Sequence, residues 1–131
     1  MKTKAVRIVD IAIDGGTQQR VSIEHHVVQE YAEAMKCGAK FPPITAFFDG
    51  VQHWLADGFH RYHASREAEV QDMLAEVHEG TLREAILYST GANATHGIRV
   101  TNADKRKSVL TLLQDKEWGG WSSRQIAKHC H

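Results

Sequence analysis

The sequence LADGFHRYHA, residues 55–64, joins a run of strand-forming residues to a predicted helix. Gly58 permits a tight backbone turn at this junction. The amides of the first helical turn have no partner within the helix, and the helix dipole favours negative charge there. His60 and Arg61 add two side chains that can carry positive charge. A strand, a glycine and a cationic first turn together are typical of a phosphate-binding site.

A purely structural role is the alternative interpretation of the same residues. Asp57 would then cap the helix, and Arg61 would form an ion pair with Asp57 or Glu67. The residue types alone leave both interpretations open.

The residues before this junction predict a strand, a helix and a hairpin. Apolar residues recur at helical spacing in the segment predicted as a helix. The segments predicted as strands are rich in β-branched or aromatic residues. Asp49-Gly50 between two apolar runs predicts a tight hairpin with positive φ at both turn positions. The predicted elements are a strand at 5–13, a helix at 24–37, and strands at 44–48 and 51–55.

The residues after the junction predict one more strand and four helices. Thr81-Leu-Arg-Glu84 is a capping box, and Thr101 and Ser122 start similar patterns. The predicted elements are a helix at 60–69, a strand at 71–77, and helices that begin near Thr81, Thr101 and Ser122. Four side chains are predicted on the buried side of the helix after Thr101: Val109, Leu110, Leu112 and Leu113. This order predicts an α/β (α+β) fold, a small mixed sheet with helices followed by a helical C-terminal extension.

Length and composition exclude several classes of protein. The chain has 131 residues, with 42% hydrophobic and 24% charged residues, which fits a single globular domain. No apolar run is long enough to span a bilayer, and the first ten residues do not form a signal peptide, so no membrane association is expected. Two cysteines provide no disulfide framework and favour a reducing, cytoplasmic location.

The charge is unevenly distributed along the chain. Residues 1–98 hold nine Lys or Arg against 13 Asp or Glu, whereas residues 99–131 hold seven against three. A basic C-terminal part can approach DNA phosphates, although a solvated basic helix is the alternative. The predicted DNA-binding residues are Lys105, Arg106, Lys107, Arg124 and Lys128.

Histidine and tryptophan offer two further candidates. Nine histidines are present, but no spacing typical of a zinc site supports a metal, so none is expected. Trp118 and Trp121 have two interpretations: they stack on bases, or they anchor a helical unit against its neighbour.

Several of these segments resemble the ParB/sulfiredoxin superfamily. LADGFHRYHA resembles its G-x-[HR]-R-x-x-A box, and Gln18-Gln19-Arg20 resembles the Q-P-R box of ParB N-terminal domains. Gly91-Ala-Asn93 lies where the family has its E-N-x-x-R motif. Residues 117–127 resemble the entry to a helix-turn-helix, whose recognition helix is expected beyond His131. The resemblance covers residues 5–131 and divides the chain into a ParB-like domain at 1–98 and a helical extension at 99–131.

The resemblance implies a bacterial, nucleotide-responsive DNA-binding protein of partition or transcription-regulator type, associated with nucleoid or plasmid. Its implied partners are DNA and a nucleotide, CTP or ATP, while Mg²⁺ and a homodimer are left open. Nucleotide binding would order residues 91–104 and reposition the extension. The implied nucleotide- or phosphate-binding residues are Arg20, Gly58, Phe59, His60, Arg61, Asn93, Thr95 and His96.

Departures from the family motifs limit the enzymatic expectations. Phe59 stands where the G-E-R-R box of CTP-hydrolysing ParB proteins has its Glu, so little or no nucleotide turnover is expected. Phe59 also stands where sulfiredoxin has its nucleophilic Cys, which excludes sulfiredoxin activity. A small phosphotransfer or nuclease-like enzyme of the same superfamily remains the alternative, with no assigned catalytic residue.

Overall fold

A computed structural model describes residues 2–19, 23–91 and 101–130. The predicted fold class is confirmed, because the described residues form a mixed five-stranded sheet with helices on it and a helical extension after it. No described helix is long and apolar enough to cross a membrane. The strands are β1 (Lys2–Arg7), β2 (Ile11–Ala12), β3 (Ile44–Phe48), β4 (His53–Asp57) and β5 (Asp72–Glu79). The helices are α1 (His25–Lys36), α2 (Phe59–Glu67), α3 (Leu82–Gly91), α4 (Asn102–Leu113) and α5 (Ser123–Cys130).

The single strand predicted at residues 5–13 is wrong. A 3₁₀ turn at Ile8–Asp10 divides it into β1, which pairs antiparallel with β5, and β2, which pairs parallel with β4. The Ile8 amide donates to the Gln71 carbonyl at 2.9 Å, which fixes the point where the chain leaves β1. The β-branched side chains favour extended backbone throughout, and they carry no information about a change of partner.

The division of this strand requires the sheet to curl. The strand order is β1-β5-β3-β4-β2, so β1 and β2 are the two edges. Edges four strand spacings apart would lie about 19 Å from each other in a flat sheet. The path from Arg7 to Ile11 spans at most about 14 Å when fully extended. The two edges must therefore bend toward each other, as in a partly closed barrel.

The hairpin between β3 and β4 is confirmed, but its predicted two-residue turn is wrong. The strands are joined by residues 49–52, and Gly50 has a φ of 103° whereas Asp49 is not among the described residues with positive φ. Asp49 accepts hydrogen bonds from the amides of Val51 and Gln52 at 2.9 and 2.7 Å, and from Trp54 Nε1 at 2.9 Å. This side chain closes a wider loop, so β4 begins at His53 instead of Val51.

Two hydrophobic layers enclose the sheet. On one face, α2 buries Phe59 and Tyr62 against Ile44, Leu55 and the neighbouring strands. On the other face, α3 buries Ala85 against Phe47 and Ala56. The start of α2 therefore lies between the sheet and α1, which packs on α2 through Val28, Ala32 and Ala64.

The extension packs on α3 around Leu112, Trp118 and Ile126, with Ile86 and Leu87 contributed by α3. The predicted capping patterns at Thr81, Thr101 and Ser122 are confirmed by reciprocal side-chain bonds. Leu110 and Leu113 were predicted to be buried, which is wrong, because they are 45% and 51% exposed. The buried line of α4 runs instead through Asp104, Ser108 and Leu112, which repeat every four residues, and Leu112 packs against Ile86 and Leu87 of α3.

The end of α2 contains a strained residue that predicts a stabilising substitution. Glu69 has a φ of 60° and follows the helix C-cap, where glycine is favoured. We expect Glu69→Gly to raise the free energy of unfolding by about 0.5–1 kcal/mol, because left-handed backbone strains a residue with a Cβ. Thermal denaturation should show a melting temperature about 2–5 °C higher. Glu67→Gly in the last turn of α2 is the control and should lower the melting temperature. If both variants lowered the melting temperature equally, the assignment of strain to Glu69 would be contradicted.

Candidate functional site

The glycine turn between β4 and α2 has a geometry that only glycine fits. Gly58 is the N-cap of α2 and has a φ of 101°. A Cβ added there would lie 2.5 Å from Ile44 Cγ2. The first helical bond runs from the Tyr62 amide to the Gly58 carbonyl at 2.8 Å, so the amides before Tyr62 have no acceptor within the helix.

Arg61 is buried and fastens this turn to the chain that enters β3. Its Nη1 donates to the carbonyls of Pro42 and Pro43, both at 2.8 Å. Its Nη2 lies 3.6 Å from Asp57 Oδ2, so the ion pair with Asp57 that the sequence left open is present. Arg61 is 4% exposed, and burial lowers its pKa while Asp57 acts to raise it. Its guanidinium therefore binds protein groups directly.

The other side chains of the predicted box also point into the fold. His60 is 6% exposed, and its Nε2 accepts a hydrogen bond from the Glu24 amide at 3.1 Å. This bond joins the start of α1 to the start of α2. Phe59 is buried in the hydrophobic core beneath the sheet. What the turn presents to an anion is therefore chiefly backbone.

Half of the predicted phosphate-binding residues lie outside the described residues: Arg20, Asn93, Thr95 and His96. The structure thus brings together Gly58, Phe59, His60 and Arg61 at the start of one helix. Phosphate binding by the whole set stays a prediction.

Gln19 was named only as the middle residue of the Q-P-R-like box, and its structural role was not predicted: its amide links the front of the molecule to α3 and α4. Its Nε2 lies 3.1 Å from Ser89 Oγ, and its Oε1 lies 3.0 Å from Thr111 Oγ1. Nothing in the sequence indicated that this residue has partners 70 and 92 residues away.

The extension carries cationic side chains on its outside. Lys105, Arg106, Arg124 and Lys128 are exposed and Lys107 is half-buried. The acidic residues of the extension are engaged within the protein. Asp104 is buried in the capping box with Thr101, and Asp115 and Glu117 bind Arg83 of α3.

Arg83 clamps the segment after α4 onto α3. Its two Nη atoms donate to both carboxylate oxygens of Asp115 at 2.7 and 2.8 Å, and Nη2 also reaches Glu117 Oε2 at 2.7 Å. These bonds hold the pKa of Asp115 well below its usual range and raise that of Arg83. The guanidinium carbon lies 4.2 Å from the centre of a Trp118 ring, a cation–π contact. Trp118 is buried in the core of the extension, which supports its interpretation as an anchor.

Comparisons with known proteins place this architecture among solved folds, although no family model matches the chain. A possible regulatory protein of the streptomycin biosynthesis operon of Streptomyces griseus is 26% identical over 89 residues. That match covers 68% of this chain and 24% of the relative, so this chain spans about a quarter of the relative's length.

Three solved structures share the fold at low sequence identity. C-terminally truncated chromosome-partitioning protein ParB from Caulobacter crescentus, complexed with CTP-γ-S, has a TM-score of 0.62 and 10% identity, covering 99% of this chain and 71% of that one. The same protein complexed to the centromeric parS site has a TM-score of 0.61 and 14% identity, covering 97% and 64%. Sulfiredoxin from Arabidopsis thaliana has a TM-score of 0.54 and 18% identity, covering 66% and 98%. Together with the curled mixed sheet, these similarities show that the chain has the ParB/sulfiredoxin fold.

Proposed function

We propose that this chain is a DNA-binding module of a regulatory or partition protein, and that α4 and α5 contact the DNA backbone. The observation that carries the proposal is the sorting of charge in the extension. Its acids bind Arg83 or cap α4, whereas five cations in its described part lie exposed, Lys116 among them. Exposed Lys and Arg side chains can neutralise phosphates, which supplies affinity without choosing a sequence.

Two similarities support this proposal. Caulobacter crescentus ParB has this fold and has been solved with parS DNA. The Streptomyces griseus relative is described as a possible regulator of an operon. In this chain α5 begins at a capping box and buries Ile126 inward, which leaves Arg124 and Lys128 on the outside. This arrangement fits the first helix of a helix-turn-helix.

Fluorescence anisotropy with a random duplex tests the DNA contact. We expect a dissociation constant on the order of 10⁻⁴–10⁻⁶ M at physiological salt, with binding that weakens steeply as salt rises. Removing two phosphate contacts with Arg124→Gln and Lys128→Gln should reduce the slope of log affinity against log salt by about two.

Lys36→Gln with Lys40→Gln is the matched control, because it removes the same charge from exposed positions at and just after the end of α1. The control should change the slope little. Equal changes in both double variants would show a general charge effect and contradict a contact through α5.

We propose as a second function that the turn at Gly58 binds a phosphate group, such as that of CTP or ATP. The observation that favours it is a helix that starts at a left-handed glycine, with first-turn amides that have no acceptor within the helix. Caulobacter crescentus ParB of the same fold has been solved with CTP-γ-S. In this chain the amides of the first turn of α2 would hold the anion, and Arg61 would stabilise it at close range while keeping Pro42 and Pro43 in place.

Calorimetric titration with inorganic phosphate, CTP and ATP, with and without Mg²⁺, tests this second function. We expect binding of the nucleotides without phosphate release, because the Phe59 side chain is buried and offers no group for hydrolysis. Failure of all three ligands to bind the folded protein would reject the assignment of this turn.

A further inference from the structure

One buried side chain joins three parts of the molecule. Gln19 is 8% exposed and follows the loop after β2. Its Nε2 donates to Ser89 Oγ of α3 at 3.1 Å and to the Gly16 carbonyl at 3.3 Å. Its Oε1 accepts from the Thr111 hydroxyl of α4 at 3.0 Å. The amide therefore ties α3 and α4 to the segment that leaves the sheet.

Apolar packing alone does not fix where α4 lies along α3. Leu112, Trp118 and Ile126 pack against Ile86 and Leu87, and such contacts have little directional preference. Hydrogen bonds weaken steeply when their angles change, so they define one arrangement among several that bury similar area. The Arg83 clamp fixes residues 115–117, beyond the end of α4, whereas Gln19 acts on the helix itself.

We propose that Gln19 is a positioning residue for the cationic surface, which it controls by fixing α4 against α3 without touching DNA itself. Lys105 and Arg106 lie on the same rigid helix as Thr111, about 8–9 Å away along its axis. A small rotation at Thr111 therefore displaces both cations relative to Arg124 and Lys128. This inference rests on the proposed contact of α4 and α5 with DNA.

The chemistry around Gln19 makes its role separable from folding. Ser89 Oγ also lies 2.6 Å from the Ile86 carbonyl, and Thr111 Oγ1 lies 2.9 Å from the Lys107 carbonyl. Both hydroxyls thus keep an acceptor on their own helix when Gln19 is replaced. Methionine has a similar shape and no hydrogen-bonding group, so Gln19→Met removes the positioning bonds and leaves neither hydroxyl unsatisfied.

The experiment compares DNA binding and stability of the unmodified chain, Gln19→Met and Gln29→Met. Gln29 is exposed on α1 and provides the matched control. We expect Gln19→Met to melt within about 4 °C of the unmodified chain. Its affinity for a random duplex should fall about five-fold at physiological salt, and its salt slope should decrease by about one, as when one phosphate contact is lost.

Variants of Thr111 test the direction of the effect. Thr111→Val removes the hydroxyl that Gln19 binds, so it should lower DNA affinity and the salt slope as Gln19→Met does. Thr111→Ser keeps the hydroxyl, so it should bind DNA like the unmodified chain. A general structural defect would not distinguish these two substitutions in the salt slope. If the unmodified chain binds DNA, and Gln19→Met has the same DNA affinity and the same salt slope, the proposal is overturned.

Hydrogen exchange separates failure of this inference from failure of the DNA-binding function. Amides of α4 should exchange faster in Gln19→Met than in Gln29→Met whether or not DNA binds. If the unmodified chain does not bind DNA, the proposed function fails, and exchange alone decides whether Gln19 positions α4. Identical exchange in the two variants rejects that role.

Discussion

Gly58→Ala is expected to lower the free energy of unfolding by about 2–4 kcal/mol. Left-handed backbone at a residue with a Cβ costs about 1–2 kcal/mol. The new Cβ would also lie 2.5 Å from Ile44 Cγ2, and relief of such overpacking typically costs about 1–3 kcal/mol. Ile44 is fully buried at the centre of the sheet, so it cannot move aside freely. Urea unfolding measures the loss directly.

Gly50→Ala is the control for the backbone contribution. Gly50 has a φ of 103°, and a Cβ there would meet nothing within 4 Å. Gly50→Ala should therefore lower the free energy of unfolding only by the cost of left-handed backbone at a residue with a Cβ. Ile44→Ala removes Cγ2, so Gly58→Ala should be less destabilising in that background. Equal losses for Gly50→Ala and Gly58→Ala would mean that the contact with Ile44 has no energetic effect.

Arg61→Ala is the second substitution with a large expected effect, a loss of about 2–4 kcal/mol. It leaves the carbonyls of Pro42 and Pro43 without their charged donor and removes the cation facing Asp57. Arg61→Lys should lose about half as much, because one ammonium group cannot reproduce the planar fork of donors.

Arg66→Ala, on the exposed side of the same helix, is the matched control and should change the unfolding midpoint little. A small effect of Arg61→Ala, comparable to that of Arg66→Ala, would contradict the structural role of the guanidinium. The phosphate assignment should be tested on Arg61→Lys, since that variant is the better folded of the two.

The elements that sequence analysis predicted well have local signals. The helices that start after Thr81, Thr101 and Ser122 each begin at a capping box formed by residues three apart. The glycine turn at Gly58 was likewise predicted from adjacent residues. Signals of this kind lie within one helical turn, so they can be interpreted without the rest of the chain.

The features that sequence analysis could not predict depend on distant partners. The break between β1 and β2 follows from pairing with β5 and β4, more than 40 residues away. Arg61 binds backbone carbonyls, which every residue possesses and no sequence pattern marks. The cationic residues Lys105 and Arg124 were identified from composition. The bonds by which Gln19 connects α4 to the rest of the fold were not predicted, because their partners are 70 and 92 residues away.

The short turn at Ile8–Asp10 that joins the two edges of the sheet also constrains the order of folding during synthesis. β1 is made first, yet its partner is β5, which ends at Glu79. On the ribosome the first strand therefore stays unpaired until the last strand of the sheet has emerged. The contacts of the helical extension with α3 span 32 residues from Arg83 to Asp115 and 42 residues from Leu87 to His129, and they form only after this later segment has been made. Pairing of β1 with β5 is thus the most non-local step in closing the sheet, and such pairings form slowly. A nascent chain halted before β5 would leave β1 and one edge of β3 open to association with other chains.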